Sequence, residues 1–121
     1  PCADPEDARV IPASASLARK WAALRVGQQP PKYFNLVKCS PDAPAPTMGV
    51  IWAGQTAMHQ AMPPDAPRLF TILELRRLCA FPDDFKMSGP FKDRWARLGN
   101  SVPPLMMRAV ALRVREALGA A

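Results

Sequence analysis

The sequence predicts an α+β fold in which a small antiparallel sheet of two or three strands packs with three or four helices. Three observations predict this fold: apolar residues recur at helical spacing, two short stretches are aromatic and β-branched, and proline is abundant. The 15 prolines among 121 residues favour short elements joined by stiff, irregular segments. This length allows one modest domain.

The first helix is expected to follow an irregular lead-in over residues 1–13. Leu17, Trp21 and Leu24 recur at i, i+4 and i+7, and Ser16 is a candidate N-cap. Residues 32–38 and 47–53 have the composition of two strands, and residues 54–67 are expected to form a loop.

Two more helices are marked by their end signals. Thr71 followed by Glu74 is the capping-box signature, which predicts a helix over residues 71–81 that Pro82 stops. Residues 90–99 are expected to form a short helix that closes on Gly99 as its C-cap.

The last helix is the most strongly periodic. We expect Ser101 to cap it, with two prolines in its first turn, where a missing N–H is harmless. Its apolar stripe is so broad that the rest of the chain is not expected to cover it, which indicates a missing neighbour. The stripe consists of Val102, Leu105, Met106, Ala109, Val110, Leu112, Val114 and Leu118.

Charge and cysteine content narrow the classes of function. The formal net charge of +6 favours an acidic partner, most often nucleic acid, although many basic surfaces bind nothing. Three scattered cysteines form neither a disulfide framework nor a metal site, and an odd count suits the reducing cytoplasm. We therefore expect a cytoplasmic protein without a metal.

No apolar run reaches membrane-spanning length, so no membrane association is expected. The opening residue is Pro1, which suggests that the chain is a part of a longer protein.

The segment Gly99-Asn100-Ser101-Val102 directly before the last helix has a possible chemical use. Asn and Ser side chains beside the free N–H groups of a helix start suit a polar or carboxylate-bearing small ligand. The alternative is that these residues only cap the helix.

Two longer stretches extend this motif. "FTILELRRLCAFPDDF" and "RWARLGNSVPPLMMRAVA" resemble, in order and spacing, the last two motifs of the DNA (cytosine-5) methyltransferases. Residues 16–48 are similar to the final part of the target-recognition domain in bacterial and phage members. The resemblance implies that residues 14–70 are the C-terminal part of a target-recognition domain. Residues 71–121 would then hold the last two motifs and a C-terminal helix that packs on a Rossmann-like methyltransferase domain absent here.

The resemblance also implies a methyl donor and its site. Asn100, Ser101 and Val102 match the motif that lines the S-adenosylmethionine pocket once the last helix packs on the catalytic domain. The expected cofactor is therefore S-adenosylmethionine, and the expected partners are double-stranded DNA and a catalytic domain, in cis or as a separate chain.

For DNA contacts, Thr47 with Met48 resembles the dipeptide whose hydroxyl holds a phosphate near the flipped-out cytosine. A strand-surface threonine is the alternative. The loop that follows falls where the family reads base edges, and Arg68 could approach DNA or simply be solvated. In that loop, the residues chemically able to read bases are Gln55, Thr56 and His59.

The penultimate motif is expected to be structural. Its matching residues are Glu74, Arg77, Leu78, Phe81, Pro82 and Phe85. Many members have Arg where Leu73 stands and Gln-Gly where Cys79-Ala80 stand, and we interpret Cys79 as a small buried hydrophobe.

The family's chemistry requires a Pro-Cys nucleophile, a Glu beside the base and a Gly-rich turn for the cofactor. Pro1-Cys2 is followed by Ala-Asp, without the rest of that motif, so Cys2 is not expected to be the nucleophile and no catalytic residue is predicted. The chain is expected to be inactive alone. The alternatives are a stand-alone DNA-binding module without chemistry, or an interaction domain whose exposed terminal helix docks a protein partner.

Overall fold

The computed structural model describes residues 16–30, 36–49 and 61–119, and in them four helices and two short strands. This agrees with the predicted α+β class. The elements are α1 (Ser16–Ala23), β1 (Val37–Lys38), β2 (Ala61–Met62), α2 (Ile72–Leu78), α3 (Phe91–Gly99) and α4 (Pro104–Ala117).

The prediction of an antiparallel sheet is wrong. β1 and β2 pair in parallel, with Val37 opposite Ala61 and Lys38 opposite Met62. Residues 39–60 separate the strands, and a connection of that length can return the chain to the same end of the sheet, as parallel pairing requires.

The predicted strand positions are also corrected. The first strand covers only residues 37–38 of the predicted 32–38, and residues 32–35 lie outside the described part. No strand forms at residues 47–49, the described part of the predicted second strand. The partner strand instead comes from residues 61–62, inside the segment predicted to be a loop.

α1 packs on the sheet through a small apolar cluster. The cluster consists of Leu17, Leu24, Leu36 and Met62, with Trp21 against it. The Trp21 indole Nε1 donates to the Pro63 carbonyl at 3.2 Å, which ties α1 to the chain just after β2. The helical spacing predicted for α1 is therefore confirmed.

A larger cluster joins α2 and α3, where Leu75 and Trp95 are fully buried and Leu98 nearly so. The Trp95 indole Nε1 donates to the Gly49 carbonyl at 2.9 Å, so α3 also holds the end of the 36–49 segment. Cys79 is buried in this cluster, as expected for a small hydrophobe.

The ends of α2 follow local rules. The capping box is confirmed, because the Glu74 backbone N–H donates to Thr71 Oγ1 at 3.1 Å and the Thr71 N–H donates to Glu74 Oε2 at 2.8 Å. Beyond the helix, Ala80 adopts φ +59, a left-handed conformation that glycine adopts more readily.

Two cap predictions are wrong. α3 includes Gly99, and its C-cap is Asn100. Ser101 does not cap α4, because its hydroxyl donates to the Leu98 carbonyl at 2.6 Å; the N-cap is Pro103, which offers no side-chain bond, and Pro104 occupies the first helical position.

α4 buries none of its residues against the rest of the described chain. Seven large apolar side chains at and along this helix are 48–78% exposed, namely Val102, Leu105, Met106, Met107, Val110, Val114 and Leu118. We call this set the α4 stripe. Its exposure agrees with the expectation that residues 16–30, 36–49 and 61–119 do not cover it.

Candidate functional site

The turn between α3 and α4 is held by backbone bonds to α3. The Asn100 N–H donates to the Ala96 carbonyl at 3.0 Å, and the Ser101 N–H donates to the Leu98 carbonyl at 3.1 Å. Because Leu98 is almost fully buried, the turn rests on the core and has a defined position.

A cleft of about 350 Å³ opens beside this turn. One wall is the extended segment over residues 45–48, and the other is formed by the ends of α2 and α3 and the start of α4. We call it the Thr47–Ser101 cleft. It brings together two side chains that are 54 positions apart and that the sequence assigned to different ligands.

The lining of the cleft is mostly apolar. Met48, Leu78 and Met106 contribute to this lining, and Leu78 is 45% exposed. Cys79 also lines the cleft, and burial raises the pKa of its thiol, which disfavours the thiolate form.

Hydrogen-bonding capacity at the cleft is concentrated in a few groups. The single Ser101 hydroxyl proton is given to the Leu98 carbonyl, so the Ser101 oxygen faces a ligand as an acceptor. The Asn100 side chain is not part of the cleft lining; it is exposed on the adjoining turn and carries both donors and an acceptor. Apolar walls with a small number of polar groups are typical of a small-molecule site.

Other predicted residues are placed differently. Val102 is half exposed on the α4 stripe and is not part of the cleft lining. Gln55, Thr56 and His59 lie outside the described residues.

Arg68 is neither solvated nor free. Its guanidinium donates to Glu74 Oε2 at 2.7 Å and Oε1 at 2.9 Å, and to Asp65 at 2.9 Å, and its side chain is only 14% exposed. The hydrogen bonds to Glu74 are the largest contribution that raises the Arg68 pKa. A DNA contact of Arg68 stays a prediction, and it would compete with these bonds.

Glu74 is the centre of this cluster. Burial acts to raise the pKa of its carboxyl, but hydrogen bonds from Arg68 and Thr71 outweigh burial, so the pKa lies below its usual value. The carboxylate therefore joins the N-terminus of α2 to the segment before it.

The segment after α2 is held by arginines. Arg77 forms an ion pair with Asp83 at 2.6 Å, and Arg76 donates to the Asp83 and Phe85 carbonyls at 2.7 and 2.6 Å. The Phe81 and Phe85 rings lie 4.9 Å apart. These contacts agree with a structural role for the penultimate motif.

Some site features were missed by the sequence analysis. The Leu98 carbonyl, which fixes the Ser101 hydroxyl, gives no signal in the residue pattern. Ala45 and Pro46 line the cleft but appeared only as part of a proline-rich connection.

Within the described ranges, no helix has the length and apolar character needed to cross a bilayer. Among the same residues, no group of three or more His, Cys, Asp or Glu side chains is arranged to hold a metal ion.

Comparison with known proteins gives one family. The sequence profile described as C-5 cytosine-specific DNA methylase matches residues 13–116. A putative type II methyltransferase of Methanocaldococcus jannaschii is 32% identical over 101 residues, which are 82% of this chain and 30% of that protein.

Two further relatives match over 55 residues at 40% identity, which is 46% of this chain. They are DNA (cytosine-5)-methyltransferase 3 of Arabidopsis thaliana, of which the match covers 4%, and the type II methyltransferase M.XorII of Xanthomonas oryzae pv. oryzae, of which it covers 13%. The matches thus span less than a third of the length of these relatives. No solved structure matches the chain significantly.

Proposed function

The chain belongs to the C-5 cytosine-specific DNA methylase family, and from this premise we propose that it is the C-terminal segment of a DNA cytosine-5 methyltransferase. In this proposal, residues 14–70 are the last part of the target-recognition domain, and residues 71–121 hold the last two motifs. The segment contributes DNA recognition and one wall of the S-adenosylmethionine pocket.

The observation that carries the proposal is the Thr47–Ser101 cleft. The same cleft is lined by the residue proposed to bind a DNA phosphate and by a residue proposed to face the methyl donor. A methyl transfer requires the base and the donor to be close together, so a cleft shared by both side chains is the arrangement the reaction needs.

The residues at the cleft fit S-adenosylmethionine on one side. The Ser101 oxygen, Leu78 and Met106 line the cleft and offer an acceptor and apolar surface. The exposed Asn100 amide offers further hydrogen bonds from the adjoining turn, outside the cleft lining. When bound, this cofactor supplies the methyl group. The chain's own residues would hold it on this side.

The α4 stripe supports a second part of the proposal, that a catalytic domain packs on α4. Apolar surface of this extent is unfavourable in water and typical of an interface. The 121 residues contain no Pro-Cys-Gln sequence and no Gly-rich turn, so the nucleophile and the remaining cofactor contacts would come from that domain.

A stand-alone DNA-binding module is the second candidate, which the net charge of +6 favours. It would bind DNA without a catalytic partner, and the α4 stripe would then serve no methyltransferase domain.

A chimera tests the first candidate against the second. In the Methanocaldococcus jannaschii relative, the region that matches this chain is replaced by this chain, and transfer of a labelled methyl group to cytosine in DNA is measured. We expect methyl transfer by the chimera and none by the isolated chain. Methyl transfer by the isolated chain, or a folded chimera that binds DNA and S-adenosylmethionine but transfers no methyl group, would contradict the proposal.

A further inference from the structure

The net positive charge of this chain comes from one segment. Residues 8–41 contain six Lys and Arg side chains and no Asp or Glu. The ten Lys and Arg outside this segment equal the ten Asp and Glu of the whole chain, so the segment carries the entire net charge of +6. The described part of this basic segment comprises α1, the turn after it and β1.

α1 presents a clear outer face. Leu17 and Ala18 are buried, and Trp21 packs against the same cluster. At 100° per residue, Arg19 lies at the centre of the opposite side, where it is exposed. Ala22 and Ala23 beside it are exposed and small, so a broad surface can approach the Arg19 guanidinium closely.

Five arginines elsewhere in the described chain are engaged locally, whereas Arg108 and Arg115 on α4 are exposed like Arg19 and form no ion pair within the described residues. Arg76 and Arg97 donate to backbone carbonyls, and three others form ion pairs: Arg68 with Glu74, Arg77 with Asp83 and Arg113 with Glu116. Within residues 16–30, 36–49 and 61–119, no ion pair is formed by Arg19 or by Arg25, which is exposed in the turn after α1. Their charge is available to an external anion.

α1 is fixed to the segment that borders the predicted base-reading loop. The Trp21 indole bonds the Pro63 carbonyl, and β2 begins at Ala61, directly after residues 50–60. The Lys38 ammonium lies 3.8 Å from the centre of the Trp21 ring, so β1 and α1 are further joined. α1 therefore has a fixed position relative to β1 and to the chain just after β2.

From these observations we propose that the outer face of α1 and the turn after it bind the phosphate backbone of duplex DNA, through Arg19 and Arg25 respectively. The identity of the partner rests on the proposed function, since DNA is the anion that the family acts on. Guanidinium groups bind phosphates bidentately, and such contacts add affinity and fix the register without reading sequence.

The test is the salt dependence of DNA binding. Fluorescence anisotropy with a labelled duplex gives the affinity of the 121-residue chain over a range of salt concentrations. The variants are Arg19→Gln, Arg25→Gln and their combination. The matched control is Arg115→Gln, which removes an arginine on α4 that is also exposed and also forms no ion pair within the described residues. Far-UV circular dichroism checks that each variant is folded.

Each phosphate contact contributes about 0.9 to the slope of log affinity against log salt. We expect the double variant to reduce the slope by about two and the control to leave it unchanged. A double variant with the unaltered slope would overturn the proposal, as would absence of DNA binding by the unmodified chain at low salt. Binding to phosphatidylserine vesicles in place of DNA would also overturn it, because the partner would then be an anionic membrane surface.

Failure here is distinguishable from failure of the proposed function. The chimera described above can be made with Arg19→Gln and Arg25→Gln and measured at low salt with saturating DNA. Suppose that this chimera transfers methyl groups and that the salt slope of the double variant of the 121-residue chain is unchanged. The proposed function would then stand, but the proposal that Arg19 and Arg25 bind DNA phosphates would be rejected.

Discussion

The cluster around Glu74 makes a quantitative prediction for the substitution Glu74→Gln. The side chain keeps its shape but loses its charge. In the native chain, the carboxylate accepts two hydrogen bonds from Arg68, at 2.7 and 2.9 Å, and one from the Thr71 N–H at 2.8 Å. Glutamine offers a single acceptor oxygen, so at least one of these donors loses its partner or faces an NH₂ group.

The size of the effect follows from burial. The Arg68 side chain is 14% exposed and the Glu74 side chain 21%, so this pair is screened much less than a surface pair. Removing one partner of a fully buried pair costs about 3–5 kcal/mol, and a surface pair is worth about 0.2–1 kcal/mol. Because Asp65 still pairs with Arg68, we expect Glu74→Gln to lower the free energy of unfolding by about 2 kcal/mol.

Urea denaturation followed by circular dichroism at neutral pH measures this change. With a slope of about 1–3 kcal/mol per molar urea for a small domain, the midpoint should fall by roughly 0.7–2 M. The matched control is Glu116→Gln, whose partner Arg113 is exposed on α4, and its effect should stay below about 0.5 kcal/mol. If Glu74→Gln and Glu116→Gln lowered the free energy of unfolding equally, the argument that burial strengthens the Arg68–Glu74 pair would be refuted.

The same cluster predicts a pH dependence. The Glu74 pKa is lower in the folded chain than in the unfolded chain, where it is about 4.3. Its contribution to stability is therefore complete above the unfolded pKa and is lost as pH falls through the folded pKa. The stability difference between the unmodified chain and Glu74→Gln should shrink below about pH 4. A difference that is constant down to strongly acidic pH would contradict the assignment.

Four further substitutions test other parts of the structure. Ala80→Gly removes the strain of a left-handed alanine and should raise the free energy of unfolding by up to about 1 kcal/mol. Ala96→Gly inside α3 should lower it by about 0.5–1 kcal/mol. If urea denaturation showed that both substitutions change stability in the same direction, the left-handed conformation of Ala80 would be contradicted. Trp95→Phe loses the bond to the Gly49 carbonyl and some core volume, so it should cost about 2 kcal/mol, and a neutral effect would show that the bond does not hold the 36–49 segment. Val114→Asp should change the stability of the isolated chain by less than about 0.5 kcal/mol but abolish methyl transfer by the chimera, and an active chimera would show that α4 does not pack on a catalytic domain.

Local signals in the sequence predicted local structure well. Thr71 and Glu74 are three residues apart, and a capping box needs only that spacing, so the start of α2 was predicted correctly. The spacing of Leu17, Trp21 and Leu24 likewise placed α1, because helical periodicity is visible within one short window.

The sheet could not be predicted from the residues in the same way. Each strand has only two residues, which is too short for any alternation to appear, and the partner of Val37 and Lys38 lies among residues that resemble a loop. The cap of α4 was missed for a different reason. Ser101 has the right chemistry, but its hydroxyl is used by the Leu98 carbonyl.

One part of the candidate site could be predicted from local sequence signals, and another part depends on contacts between distant residues. The turn at residues 100–102 was located from its composition and from the resemblance to a family. The proximity of Thr47 and Ser101 was not expected, since no periodicity relates positions so distant in the chain. Nor does the spacing of six residues between Arg68 and Glu74 match a regular helical pair, so the ion pair that occupies Arg68 was not anticipated.

The central claim is that the turn before α4 completes the methyl-donor site while Thr47 holds DNA, and ligand binding to the chimera tests it most directly. Isothermal titration calorimetry would measure affinities for S-adenosylmethionine and for a DNA duplex in Asn100→Ala and Thr47→Ala. We expect Asn100→Ala to weaken S-adenosylmethionine binding about tenfold, the effect of one lost hydrogen bond of about 1.4 kcal/mol, with DNA affinity unchanged. Thr47→Ala should weaken DNA binding and leave the affinity for S-adenosylmethionine unchanged. Unaltered affinity of Asn100→Ala for S-adenosylmethionine would contradict the account.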